Sequence, residues 1–148
     1  MYNESKLRQA FWTNFGQYMQ PVLSADGEKI GWLNYKTGVR HLFFKMDAGR
    51  DFAVIGIYLR NPDQDVRLQQ FNQFSELKNI LEDETGEEWK WEPEATDEYG
   101  KMYARIYLEI SGVNINETTD WPKIISFFKP RIMALDRFWS VAKEVFTG

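Results

Sequence analysis

The sequence predicts an α+β fold: an antiparallel-rich sheet with helices packed on one face, in the order α-β-β-β-α-β-β-α. Three observations carry that expectation. Residues 101–110, "KMYARIYLEI", alternate so that Met102, Ala104, Ile106, Leu108 and Ile110 face one way, and Tyr103, Arg105, Tyr107 and Glu109 the other. Residues 41–60, "HLFFKMDAGRDFAVIGIYLR", read as two strands around a tight Asp/Gly turn. Three further stretches space their apolar residues three and four apart, as core-facing helices do. Strands and helices that do not alternate one by one point to an antiparallel sheet with segregated helices.

Taken in order, Asn3 is an N-cap for a helix to about Met19 with Leu7, Phe11, Phe15 and Tyr18 on one face. Pro21 ends it, and "PVLSADGE" is a loop. "KIGWLNY" (29–35) is the first predicted strand, followed by a turn at Lys36-Thr37-Gly38. The next two strands span 40–46 and 52–60; Leu42, Phe44 and Met46 share a face of one, and Ala53, Ile55, Ile57 and Leu59 a face of the other. Asn61-Pro62-Asp63 leads into a helix of about 64–84 carrying Val66, Phe71, Phe74, Leu77 and Leu81 inward, with Gly86 as the left-handed residue at its end. "EEWKWE" (87–92) is a short strand, "PEATDEYG" a turn, and 101–110 the last strand. Asp120 or Thr119 caps a final long helix that Pro130 should kink or split near Phe128, with Ile132, Leu135, Phe138, Trp139 and Ala142 as its buried stripe.

No repeat, low-complexity run or linker divides the chain, so residues 1–148 form a single α+β domain, which buries roughly 68–70% of its unfolded surface. With 43% hydrophobic residues, six Trp, seven Tyr and eleven Phe, a packed core is expected rather than disorder. A net charge of −4 argues against a strongly cationic binder of nucleic acid or membranes, though not against a local basic patch. The absence of cysteine removes disulfides, thiolate metal sites and Cys nucleophiles. The polar start "MYNESKLRQAFW" is unlike a signal peptide, no window approaches 18 apolar residues, and a cytoplasmic protein without a membrane segment is expected.

The chemical motifs are incomplete. A two-metal phosphodiesterase needs clustered carboxylates, commonly with a lysine; the strand after the hairpin turn has no acid, and Asp47 and Asp51 sit where turns favour Asp. "SELK" (75–78) and "KTG" (36–38) match fragments of penicillin-recognising signatures, but in reversed order and without Ser-Asp-Asn. His41, the lone histidine, has no nucleophile motif to serve. Nine acids between Glu82 and Glu98 match no calcium-loop spacing and read as a solvated helix end and hairpin. No catalytic constellation, metal site or cofactor is therefore expected. Aromatics interleave with basic residues along the chain, a pattern that serves a core, self-association, another protein partner or stacking on unpaired bases. Core spacing leaves Trp12, Tyr103 and Tyr107 unexplained, and with Lys45, Arg60 and Arg105 they are the candidate binding residues. For Arg105 the competing reading is an aromatic–arginine cluster that simply closes the second sheet face.

Phe11-Trp12, Ile57 to Arg60, Phe74 to Lys78 with Gly86 and Trp91, Arg105-Ile106, and Trp121-Pro122 together resemble the bacterial and archaeal domain-of-unknown-function family 4268, over essentially the whole chain. Gly56 stands where that family's pattern has an acid. Some relatives carry the domain behind a nuclease-like or restriction-type domain. The resemblance thus implies a DNA-linked accessory role, and a diverged nuclease-like fold acting on nucleic acid is the alternative to a non-enzymatic binding domain with a homodimeric or other protein partner.

Overall fold

The computed structural model describes residues 3–147. Helix α1 (Glu4–Met19) starts where the Asn3 side chain accepts the Ser5 N–H at 2.9 Å. Phe11 and Phe15 are buried as the spacing requires, but the stripe ends on Met19, while Tyr18 is turned out beside Lys129. Both positions continue a three-four spacing, and the hydroxyl takes the one that reaches water.

Segment 29–35 is not a strand. It holds a single 3-10 turn, Trp32–Asn34. The segment and the turn after it are tied down by side chains: the Trp32 indole donates to the Val22 carbonyl at 2.9 Å, the Trp139 indole to the Thr37 carbonyl at 2.8 Å, and the Thr37 hydroxyl to the Leu42 carbonyl at 2.8 Å.

Strands β1 (Leu42–Ala48), β2 (Phe52–Leu59), β3 (Lys90–Thr96) and β4 (Met102–Ser111) make one antiparallel sheet in the order β1-β2-β4-β3. Register puts Leu42, Leu59 and Ala104 in one row, Phe44, Ile57, Ile106 and Trp91 in the next, then Met46, Ile55 and Leu108. These rows form the floor of the core. At the free end of β4, Met102 shares their parity yet is exposed, because the core does not extend that far. Strand β3 begins three residues later than expected, since Trp89 is buried with its indole on Thr85, and it runs on through Pro93 to Thr96. A proline is tolerated there because β3 is an edge strand with a register shift between Glu92 and Ala95.

The expected 64–84 helix is two: α2 (Gln64–Glu76), capped by the Asp63 carboxylate, and α3 (Lys78–Thr85), which closes on left-handed Gly86 (φ 73°). They part at Leu77, whose N–H turns back to Phe74 while the Ser75 hydroxyl donates to the Phe71 carbonyl. Helix α4 (Trp121–Thr147) is unbroken across Pro130, so the expected split does not occur. Asp120 precedes it but spends its carboxylate on the Asn114 N–H. Helix α4 packs on β1 and β2, α2 on β2 and β4, and α1 and α3 on α4. Among the described residues all α-helices thus lie on one face, and the other face of the sheet carries none.

Candidate functional site

The helix-free face is built by the residues between the core rows. Register aligns Phe43, Tyr58, Arg105 and Glu92 across all four strands; beside them lie Lys45, Gly56, Tyr107 and Lys90; then Asp47, Val54 and Glu109. Alternation continues past β2, so Arg60 joins the same side, where its guanidinium lies 4.6 Å from the Tyr103 ring centre and 5.7 Å from that of Tyr58. Five of the six residues singled out from sequence (Lys45, Arg60, Tyr103, Arg105 and Tyr107) therefore share one surface. Trp12 does not. It stacks on Phe128 with ring centres 5.7 Å apart, in the helical layer beyond the sheet.

The arginines on this face are committed. Arg105 lies 3.7 Å over the Tyr107 ring and its Nε donates to the Glu92 carboxylate at 3.0 Å. Arg60 pairs with Asp97 at 3.5 Å. Burial works against the charge of Arg105, but Tyr58 and Glu92 outweigh it and hold its pKa above the ordinary value. Burial pushes the Tyr58 hydroxyl up, with Arg105 opposing. Tyr58 and Tyr103 stack with ring centres 6.0 Å apart, and both Tyr58 and Val54 are buried although no helix covers them. Lys45, in contrast, is exposed with no carboxylate at ion-pair distance among the described residues; partial burial and the nearby Arg60 lower its pKa, with Asp47 pulling the other way. The surface is aromatic, and its two arginines are neutralised within the chain.

Gly56 has a steric reason. A Cβ there would stand 2.7 Å from the Ile106 carbonyl oxygen and 2.8 Å from the Tyr107 Cβ, so β4 leaves no room for a carboxylate at this position. Asp51 lies in the turn as expected, but Asp47 does not: it is the sixth residue of β1, opposite Val54, and accepts the Ala48 N–H, while Asp51 accepts the Gly112 N–H across the sheet end. Among the described residues no three His, Asp or Glu side chains converge as metal ligands would. Ser75 and Lys78 fall on opposite sides of the Leu77 break, and the Thr37 hydroxyl is a loop clasp. His41 takes a left-handed conformation (φ 64°) and lends its carbonyl to the Arg60 N–H, which makes it the pivot into β1.

One cluster has no motif in the sequence. Asp136 of α4 is buried, and its carboxylate accepts the Tyr35 hydroxyl at 2.6 Å and the Ala25 N–H at 2.7 Å. The partners are 101 and 111 residues away, beyond any spacing rule. A hint exists in hindsight: an acid inside the apolar stripe of α4 must find buried donors. Beside this cluster is a cavity of about 480 Å³ between α4 and the loop that holds Tyr35.

No helix of the described residues is long and apolar enough to cross a membrane. No curated protein and no solved structure matches the chain. One family model does, over residues 7–143, which takes in all but the first turn of α1, the whole sheet with its helix-free face, and all but the last turn of α4. By that match the chain belongs to the family described as Domain of unknown function (DUF4268).

Proposed function

We propose that the chain is a non-catalytic binding module whose helix-free sheet face docks a protein surface, and that a second copy of the chain is an occupant it fits. The observation that carries this reading is the makeup of that face. Phe43, Tyr103 and Tyr107 give it rigid aromatic area over a buried Tyr58, and Arg60 and Arg105 have their charges compensated in place. Tyrosine, phenylalanine and arginine are the residues that protein interfaces favour. A nucleic-acid surface would present more uncompensated cations than Lys45 and Lys90, which on this face are balanced by Asp47 and Glu109 in the next row.

The charge pattern favours self-pairing. A row bearing Lys45 and Lys90 lies next to a row bearing Asp47 and Glu109, so a two-fold axis between rows sets each basic row against an acidic one. Four strands at about 4.8 Å and seven residues at about 3.4 Å offer about 450 Å² per copy. That is below the size of stable interfaces, so the association is weak and concentration-dependent.

Sedimentation equilibrium from 10 µM to 1 mM tests it. Reversible dimerisation in the upper part of that range is expected, and Lys45→Glu, which puts an acid in the basic row, should abolish it without changing thermal stability. A wild-type chain that stays monomeric throughout would remove the second copy as an occupant. Single-stranded DNA or RNA bound at low salt, and lost in Arg105→Ala with the fold intact, would replace the protein-docking reading with nucleic-acid binding.

A further inference from the structure

Residues 20–41 join α1 to β1 with one 3-10 turn as their only regular structure. Connections of that length are uncommon in compact domains and usually serve a function. This one is held against α4. Asp136 accepts the Tyr35 hydroxyl and the Ala25 N–H, the Trp139 indole donates to the Thr37 carbonyl, and the Ser140 hydroxyl donates to Asp26 at 2.8 Å. The loop does not close down on the helix, and the cavity of about 480 Å³ between them is within the range of small-molecule sites.

Depth sorts the charges that line this cavity. Asp26, Glu28, Lys29, Lys36 and Lys143 are all exposed, carry both signs and are screened by water and salt, so they select no ligand by charge. Asp136 is the one charged lining residue that is buried, at 6% exposure. Its carboxylate reaches from α4 to the loop, across the gap that the cavity occupies. There it meets only neutral donors, which solvate the charge without cancelling it. No cationic side chain lies at ion-pair distance from it among the described residues. A buried charge without a counter-charge is costly.

Each Asp136 oxygen has taken one hydrogen bond and can accept a second, so a cation adds without displacing Tyr35 or Ala25. Tyr35 and Trp139 line the same cavity, and aromatic rings beside a carboxylate attract an ammonium group on a carbon skeleton. A bare metal ion fits less well, because no three acids or histidines converge here among the described residues.

We propose that this cavity binds a small organic ammonium compound, with Asp136 as the counter-charge for its cationic group. The site lies on the helical side of the sheet, apart from the face assigned to protein docking, and stands or falls independently of it.

Titration of the full chain with phenethylamine in phosphate buffer at pH 7, followed by amide NMR shifts, tests the proposal. Saturable one-to-one binding at millimolar concentration or tighter is expected, with the shifts centred on Ser24, Ile30, Tyr35 and Ser140. 2-Phenylethanol keeps the skeleton but has a neutral hydroxyl, and it should bind at least tenfold more weakly. Phenylalanine adds a carboxylate beside the ammonium: binding as tight as that of phenethylamine assigns the site to amino acids, and weaker binding to plain amines. Asp136→Asn should lose at least tenfold in affinity for phenethylamine, while Glu28→Gln at the exposed rim should bind as wild type does. If Asp136→Asn does not fold, the alcohol comparison and the shift pattern in the wild-type chain decide. No saturable binding, equal affinity for the alcohol, shifts centred elsewhere, or affinity unchanged in a folded Asp136→Asn overturns the site.

Discussion

Ile106 sits mid-row between Ile57 and Trp91, wholly buried beneath the helices. Ile106→Ala removes three carbons from a site whose neighbours are strand backbone and aromatic rings, which collapse poorly, so a loss of about 2–5 kcal/mol is expected in urea unfolding. A loss under about 0.5 kcal/mol would mean that the two faces of β4 are exchanged. Alternation marked this residue correctly, because a strand's period of two depends on nothing outside the strand. Tyr35 shows the opposite case. Nothing local distinguishes it, yet it holds the loop to Asp136. Burial, first, and then the hydrogen bond and charge of Asp136 push its hydroxyl pKa well above the ordinary tyrosine value. Unfolded, the group titrates near about pH 10. Below that pH both states keep the proton and the full contribution is present; above it the unfolded chain releases the proton that the folded chain retains, so stability falls as pH rises. Tyr35→Phe should cost about 1.5–3 kcal/mol at neutral pH as a bond to a charged group is lost. Its stability should also fall less steeply than wild type between pH 9.5 and 11, and parallel curves would count against this account.

At the scale of elements, helix α4 shows packing overriding propensity. Pro130 has no N–H for the Ser126 carbonyl and crowds the preceding turn, which on local grounds should end the helix. The flanking Phe127, Phe128, Ile132 and Leu135 are all buried, and burial of each is worth about 1.5–3 kcal/mol, so the set outweighs one proline. Pro130 itself is exposed. Pro130→Ala should therefore raise stability by about 1–3 kcal/mol, read as a higher unfolding midpoint; no gain would show that the helix has adapted fully to the proline. The break at Leu77 and the missing strand at 29–35 have the same origin in reverse. Residues 64–84 keep helical spacing throughout, and Ile30 and Trp32 have strand-like side chains, but the Ser75 hydroxyl takes the Phe71 carbonyl at the helix break, and Trp32, Thr37 and Trp139 tie the loop down through their side chains. Caps were easier to read: Asn3, Asp63 and Gly86 act where they stand because a cap needs only its own few neighbours.

For the whole molecule, the sequence by itself determined the class, the antiparallel hairpin, Phe11 and Phe15 as the buried side of α1, the buried stripe of α4 and the two faces of β4. Each of these follows from a period of 2 or 3.6 that a side chain shares with its near neighbours. It also brought Lys45, Arg60, Tyr103, Arg105 and Tyr107 under suspicion, since alternation placed them away from the aliphatic face. Only the tertiary structure decided what that face is made of. Arg105 has Glu92 and Tyr107 as partners because β3 pairs with β4, and Gly56 is required because β4 presses Tyr107 against it. The same holds for the helical side, where Asp136 meets Tyr35 and Ala25 across more than a hundred residues. Contacts of that separation depend on strand order and helix docking, which many sequences of the same pattern could arrange differently; periodicity says which way a side chain points, and only the closed fold says what it meets there.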